Sequence, residues 1–400
     1  MMLLRDGFPI LVIFLTFIPE IQTSLFEGKL ISAHLLCRHG SRGPYSYFSN
    51  VTQIKWNDHK QQLSVFGIRQ SYDQGKYFRE RYNNFTAIPL ESIHIKSSIK
   101  DRVFQSTEAF AAGLYTPKQE ERFKKDLPWI PQQIDVISVK HDYYIHGVSS
   151  KLCPTIYNRV TDVLNSKQFH LILNDYKEAA NKYCRLAGFP LDSSINSILK
   201  CVYGMVDLIY ASKAEGIALK EWATNDVQNE MIDFRRKLNN LFFTNKGISF
   251  ICKGGGPLLG LILNEMSNTL ATAPEHPLIY VYGMHGSTMS GFYGSLGIAV
   301  KRPPFAECTA LEVRNINGTN YVEMLSKFYN SKSIKRMRIP QCGKTCKYDE
   351  FKRNLRPMVN AAPSKYCSEA LKVSNEDETV RLLLTLTGLS EDEEKDYNLY

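Results

Sequence analysis

Two short apolar runs, each stopping at a turn of unusual chemistry, organise the chain. Leu30–Cys37 (LISAHLLC) ends at a charged, glycine-rich turn, and Leu278–Tyr282 (LIYVY) ends at a glycine-bounded one. Near-continuous apolarity over so few residues predicts strands buried on both faces. Leu63–Tyr82 mixes apolar and charged residues near helical spacing, which predicts a helix lying on the sheet. Ser92–Lys100 alternates in part and reads as another strand, while Thr107–Leu114 and Leu258–Met266 read as helices. Tyr321–Phe328 fits a late strand or a short helix. From Cys153 to Phe250 the composition shifts to Lys, Asn, Leu and Tyr, with long helical stretches and few strand signals. Residues 153–250 are therefore read as a helical insertion, with Gly254–Gly256 marking the return. The parts 24–152 and 251–400 would make one α/β domain. In such folds ligands gather at the carboxyl ends of the strands, and both apolar runs are followed there by histidine.

The first residues change the charge picture. Arg5 precedes an apolar stretch, Phe8–Ile18, followed by Thr23 and Ser24. A cationic start, about ten apolar residues and a small-residue end describe a secretory signal over residues 1–23. A membrane anchor or a buried first helix is the alternative, although a spanning helix needs about 20 residues. Val380–Leu389 is short and carries Arg381, Thr385, Thr387 and Gly388, and acidic residues follow from Glu391 to Asp396. No transmembrane segment is expected, and the chain should enter a secretory or lysosomal lumen. With 44% hydrophobic and 22% charged residues, a large core is affordable and wholesale disorder is excluded. The net charge of +9 is scattered, its densest clusters being Arg235–Lys237 and Lys335–Arg338, so no nucleic-acid partner is expected.

Nine cysteines suit an oxidising compartment. Asn50, Asn84 and Asn317 head glycosylation sequons and should lie on the surface. Cys342 and Cys346 suggest a small disulfide-closed loop; zinc is the rival, but no histidine lies near them. Cys37, at the end of an apolar run, is a candidate buried free thiol. His34 reads as a satisfied core residue. His94, His141 and His146 lack ligand spacing, so no metal and no cofactor are expected.

The turn after the first run is Arg38-His39-Gly40-Ser41-Arg42-Gly43-Pro44. Guanidiniums are permanently charged forks that match phosphate oxygens. A histidine between two of them fits nucleophilic attack on a phosphorus whose oxygens they hold. A solvated basic turn explains the composition equally well.

The string itself resembles the RHGxRxP signature of the histidine acid phosphatases, the branch that includes prostatic and lysosomal acid phosphatases and phytases. Gln62–Gln70 resembles that family's LTxxGxxQ helix start, Ala112–Tyr115 with Pro117 its GLYPP ending, and Leu263–Glu265 its LLNEI helix. The resemblance spans about residues 29 to 370. It implies a mixed central sheet with helices on both faces and an inserted helical cap, the phosphoglycerate mutase-like histidine phosphatase fold. It implies disulfides Cys153–Cys367, Cys201–Cys308 and Cys342–Cys346, leaving Cys37, Cys184 and Cys252 unpaired. A homodimer is a further implication. The mutases that share the RHG string are cytosolic, which disagrees with the signal and the sequons.

By this resemblance His39 is the nucleophile, and Arg38, Arg42 and His285 hold the phosphoryl group. The family's third clamp arginine, in an RSTDVDR-like segment, falls on Lys96 of Lys96–Arg102, which keeps the charge but loses the fork. The acid that follows the second histidine in the family is Gly286 here, so the usual proton donor is missing. The expected activity is hydrolysis of phosphate monoesters at acid pH through a phosphohistidine. The alternative is an impaired, phosphatase-like protein that binds phosphorylated ligands. Loss of a general acid costs about 10²–10⁴ in rate, least for aryl phosphates, whose phenolates leave readily.

Overall fold

The computed structural model describes residues 28–53, 56, 61–82, 88–136, 142, 144–145, 154–192, 194–244, 254–299, 302–359 and 377–387. In chain order the elements are β1 (Lys29–Arg38), α1 (Val65–Tyr82), β2 (Ile93–Ser97), α2 (Asp101–Leu114), β3 (Asp135–Val136), α3 (Pro154–Leu164), α4 (Lys167–Leu186), α5 (Ile195–Ala214) and α6 (Asn225–Phe243). They continue with α7 (Gly256–Thr272), β4 (Leu278–Met284), α8 (Gly286–Ser295), β5 (Cys308–Ile316), β6 (Thr319–Lys327), β7 (Lys335–Met337), β8 (Thr345–Lys347), α9 (Tyr348–Val359) and α10 (Glu378–Thr387). From Pro154 to Phe243 the described residues form helices and no strand.

The strands make one mixed sheet in the order β3-β2-β4-β1-β5-β6-β7, with β8 also on β6. β1, β2, β3 and β4 run parallel; β5, β6, β7 and β8 complete the sheet in antiparallel pairs. Successive side chains of β1 point to opposite faces, and both faces are covered, which explains the near-continuous apolar run. Ala33, Leu35 and Cys37 pack with Phe78, Tyr82, Phe110 and Leu114 of α1 and α2. Leu36 packs in the cluster that holds Tyr282, Met284 and the helices between Pro154 and Phe243.

Tyr321–Phe328, readable two ways in the sequence, lies almost wholly in strand β6. It is joined to β5 by Asn317-Gly318, with φ of 49° and 81°. This two-residue loop with both φ positive is the turn whose twist matches a hairpin. Asn317 and Asn50 are exposed, and Asn84 lies outside the described residues.

Three disulfides lie among the described residues: Cys37–Cys308, Cys184–Cys201 and Cys342–Cys346. The expected Cys201–Cys308 bond is therefore incorrect, and Cys37 and Cys184 are not free thiols. The reason is the sheet. Cys308 stands directly opposite Cys37 in the antiparallel β1/β5 register, with Cα atoms 4.1 Å apart. Cys201 lies in the hydrophobic cluster on the other face, where α4 presents Cys184 at 6.1 Å. Cys153, Cys252 and Cys367 lie outside the described residues.

Candidate active site

β1 and β4 are parallel neighbours with Arg38 opposite Met284, so His39 and His285 emerge side by side at their carboxyl ends. Their rings meet edge to face, with centroids 6.1 Å apart. The His39 backbone is fixed from two sides: its N–H donates to the Met284 carbonyl (3.1 Å) and its carbonyl accepts from Ala306 (3.0 Å).

The loop after β1 leans on the start of α1 at backbone contact. A Cβ on Gly40 would lie 2.1 Å from the Gly67 carbonyl oxygen, and one on Gly67 2.1 Å from that of Ser41. Both positions therefore require glycine. Gln70 Oε1 accepts from the Ser41 N–H (2.8 Å), and the Ser64 N–H donates to the Ser41 carbonyl (3.0 Å). The glycine in the signature thus serves close packing of loop on helix, where the sequence suggested close approach without naming its partner.

His39 Nδ1 donates to the Gly40 carbonyl at 2.8 Å. A carbonyl can only accept, so the proton sits on Nδ1 and Nε2 carries the lone pair. Burial pushes the imidazole pKa well below its ordinary value, and the charges of Arg38, Arg102 and Arg42 push it further the same way. His39 is therefore a neutral imidazole among cations. His285 Nε2 is 3.0 Å from Ser98 Oγ, just beyond β2.

Three guanidiniums surround the Phe305 ring: Arg38 at 4.2 Å, Arg42 at 5.7 Å and Arg302 at 6.0 Å from its centroid. Arg38 donates through Nη1 to the Pro303 carbonyl (2.5 Å), while its buried Nε has no partner. Arg42 is held by both oxygens of Asp207, each at 3.1 Å. Asp207 also accepts from Arg302 Nη2 (2.7 Å) and from the Tyr45 N–H (2.9 Å). Burial alone would raise the Asp207 pKa, but Arg42 and Arg302 outweigh it and hold the carboxyl far below the usual range. Asp207 comes from the middle of α5, so the helical segment orients a side chain of the β1 loop.

The sequence reading missed Asp207, Arg235 and Arg302. A signal existed for the first: a single carboxylate within the apolar turns VYGMVDLIY needs a buried cationic partner. Lys96 was expected at the phosphate and is not brought there. It stands opposite Tyr282 in the β2/β4 register, and its Nζ lies 3.4 Å from Glu265 Oε1 on α7. Glu265 also accepts from Tyr282 and sits 3.6 Å from His34, which stacks on Tyr280 at 4.6 Å. Half-buried Lys96 thus joins one polar cluster with buried His34 and Glu265, as suits a satisfied core histidine. It is Arg102, from the same RSTDVDR-like segment, that acts on His39; it also donates to Tyr45 (3.2 Å).

Gly286 follows His285 as the first residue of α8, and its Cα faces the Arg38 guanidinium. Arg38, His39, Arg42, His285 and Gly286 line a cavity of about 80 Å³, closed on the helical side by Tyr203, Arg235, Asn239 and Arg302. No carboxylate lines it among the described residues, and no cluster there has the ligands to hold a metal ion.

A cationic cavity around a neutral histidine, on a mixed sheet between helical layers, defines a class. The chain belongs to the histidine phosphatase superfamily (branch 2), whose family model matches residues 29–335. Among its relatives, prostatic acid phosphatase of Bos taurus is 26% identical over 364 residues, covering 90% of this chain and 92% of the relative. Lysosomal acid phosphatase of Xenopus laevis is 25% identical over 364 residues, covering 89% of this chain and 82% of the relative. The fold is shared with the solved Hafnia alvei phytase, with TM-score 0.61 and 15% identity, over 84% of this chain and 98% of that one. No helix among the described residues is long and apolar enough to cross a membrane.

Proposed function

We propose that the chain is an acid phosphatase that hydrolyses phosphate monoesters through a phosphohistidine on His39. One observation carries this reading: His39 is neutral, its Nδ1 is committed to the Gly40 carbonyl, and its Nε2 stands among guanidiniums. Nε2 attacks phosphorus as the bond to the ester oxygen breaks. Arg38, whose Nε awaits an acceptor, and Arg42, aimed by Asp207, hold the equatorial oxygens. His285 contacts the same phosphoryl group. Water then attacks phosphorus, the P–N bond breaks, its electron pair returns to Nε2, and inorganic phosphate leaves.

With Gly286 after His285, no carboxyl among the described lining residues is placed to protonate the departing oxygen. A phosphate monoester, however, gains a proton below its second pKa of about 6. The monoanion brings a proton that passes to the leaving oxygen as the P–O bond breaks. Acid pH then supplies the missing donor through the substrate, and aryl phosphates need it least. The same reading includes entry into a secretory or lysosomal lumen, glycans on Asn50, Asn84 and Asn317, and a Cys153–Cys367 bond.

The test is hydrolysis of an aryl phosphate between pH 4 and 7, with base-stable, acid-labile phosphoenzyme trapped in parallel. Turnover and label should both vanish in His39→Ala. A second reading follows from Gly286: a phosphatase-like protein that binds phosphorylated ligands without turnover. Wild-type protein that binds inorganic phosphate yet neither hydrolyses the ester nor takes up label would establish it and overturn the first.

A further inference from the structure

The cavity holds more cationic donors than one phosphoryl group can satisfy. On the side facing α5 and α6 it is lined by Lys200, Tyr203, Arg235, Asn239 and Arg302. Arg302 spends Nη2 on Asp207, while its buried Nη1 has no partner. Arg235 lies with its guanidinium carbon 4.6 Å from the Tyr203 ring centroid and donates through Nη1 to the Tyr203 carbonyl (3.2 Å). Its buried Nε also has no partner. Burial, then the charge of Arg302, lowers the Arg235 pKa to about 10. Buried N–H groups of native proteins are nearly always paired, and like charges are not gathered without a counter-charge. Asp207 is a single carboxylate already shared by Arg42 and Arg302. A phosphoryl group on His39 engages Arg38 and Arg42 and leaves the Arg235 side unmet.

We propose that Arg235, Arg302, Lys200 and Asn239 form a second anion subsite, and that the preferred substrates are phosphate monoesters bearing another anionic group, phosphate or carboxylate, on the alcohol. This inference rests on His39 marking the phosphoryl site. The spare donors of Arg235 and Arg302 bind the second anion while the first sits over His39, and Lys200, half-buried at the wall, adds its charge. The ester carbon chain spans the cavity between the two groups.

The test uses non-hydrolysable probes of matched length: propylphosphonate, propane-1,3-bisphosphonate and 3-phosphonopropanoate. Affinities come from calorimetry and from competition against aryl phosphate hydrolysis. Wild-type protein should bind at least one doubly anionic probe about 10- to 100-fold more tightly than propylphosphonate, as charge-assisted contacts do. Which of the two binds more tightly tells phosphate from carboxylate. In Arg235→Gln the ratio should fall towards one. Lys200→Met, at a half-buried position, should lower it as well, and this keeps the test valid if Arg235→Gln does not fold. A ratio near one in the wild type, or a large ratio unmoved by both substitutions, overturns the subsite. Competition by propylphosphonate in the same experiment reports separately on the phosphoryl site, so failure of one reading is distinguishable from failure of the other.

Discussion

Gly286→Asp restores the residue type that the family resemblance expects after the second histidine, yet the structure predicts that it restores little activity near pH 5. A Cβ at position 286 would lie 3.0 Å from Arg38 Nε, 3.3 Å from its Cζ and 3.5 Å from its Cδ. Arg38 must yield by a few tenths of an ångström, against its bond to Pro303 and its packing on Phe305. It then gains an acceptor for the Nε that has none. An ion pair of this kind lowers a carboxyl pKa by about 1–3 units. From a reference near 3.9, the protonated fraction at pH 5 falls to about 1% or less. A general acid contributes about 10²–10⁴ when protonated, so the two effects largely cancel. We expect kcat/KM for an alkyl phosphate such as glycerol 2-phosphate to rise by about tenfold or less at pH 5. The gain over wild type should grow as the pH is lowered towards 3. Gly286→Asn is the control for shape, and p-nitrophenyl phosphate the control for leaving-group need. A gain of about 10²–10⁴ at pH 5 in the Asp variant alone would refute capture of the carboxylate by Arg38.

Asp207→Ala should be the most damaging substitution away from the reacting atoms. It removes the carboxylate that Arg42 and Arg302 share, a loss of about 3–5 kcal/mol for a broken buried pair, read as a lower urea midpoint, and it should weaken inhibition by inorganic phosphate. The depressed pKa of His39 predicts a pH effect on stability. The unfolded histidine takes up a proton near pH 6.5 and the buried one does not, so stability present above that pH is lost as pH falls towards the folded pKa. The loss from this residue between pH 7 and 5 is at most about 2 kcal/mol, and His39→Ala should flatten the dependence of the urea midpoint over that range.

The parts of this fold that speak plainly in the sequence are those where burial is uniform. β1 and β4 are covered on both faces, so their apolar runs are near-continuous and mark the two site loops. β5 hides because it carries charge indoors: Glu312 and Arg314 lie in its buried stretch, where Glu312 accepts from Arg81 (2.6 Å), Tyr82 (3.0 Å) and Arg314 (2.6 Å). No hydropathy pattern distinguishes such a network from a surface segment. Asn317-Gly318 was legible turn chemistry that went unread. The Cys37–Cys308 bond depends on strand register, which no local pattern encodes. The displacement of Lys96 depends on Glu265, which lies 169 residues away.

His39 and Asp207 share one property: neither is tuned to change charge in the acid range. The imidazole is held neutral by burial and by Arg38, Arg102 and Arg42. Asp207 is held ionised by Arg42 and Arg302. The guanidiniums keep their charge throughout. A site with a carboxylic acid as proton donor must keep that group protonated while its neighbours are cationic, two demands that oppose each other. Among the described residues this cavity avoids the conflict by having no carboxylate on its walls. On the proposed mechanism the substrate itself titrates near pH 6. Activity towards alkyl phosphates should follow the population of the monoanion, and the nucleophile stays unprotonated on the same side of that transition. The absence of an acid at Gly286 and the neutrality of His39 are therefore parts of one arrangement, in which acid conditions charge the substrate with the proton while leaving the lone pair on Nε2 free.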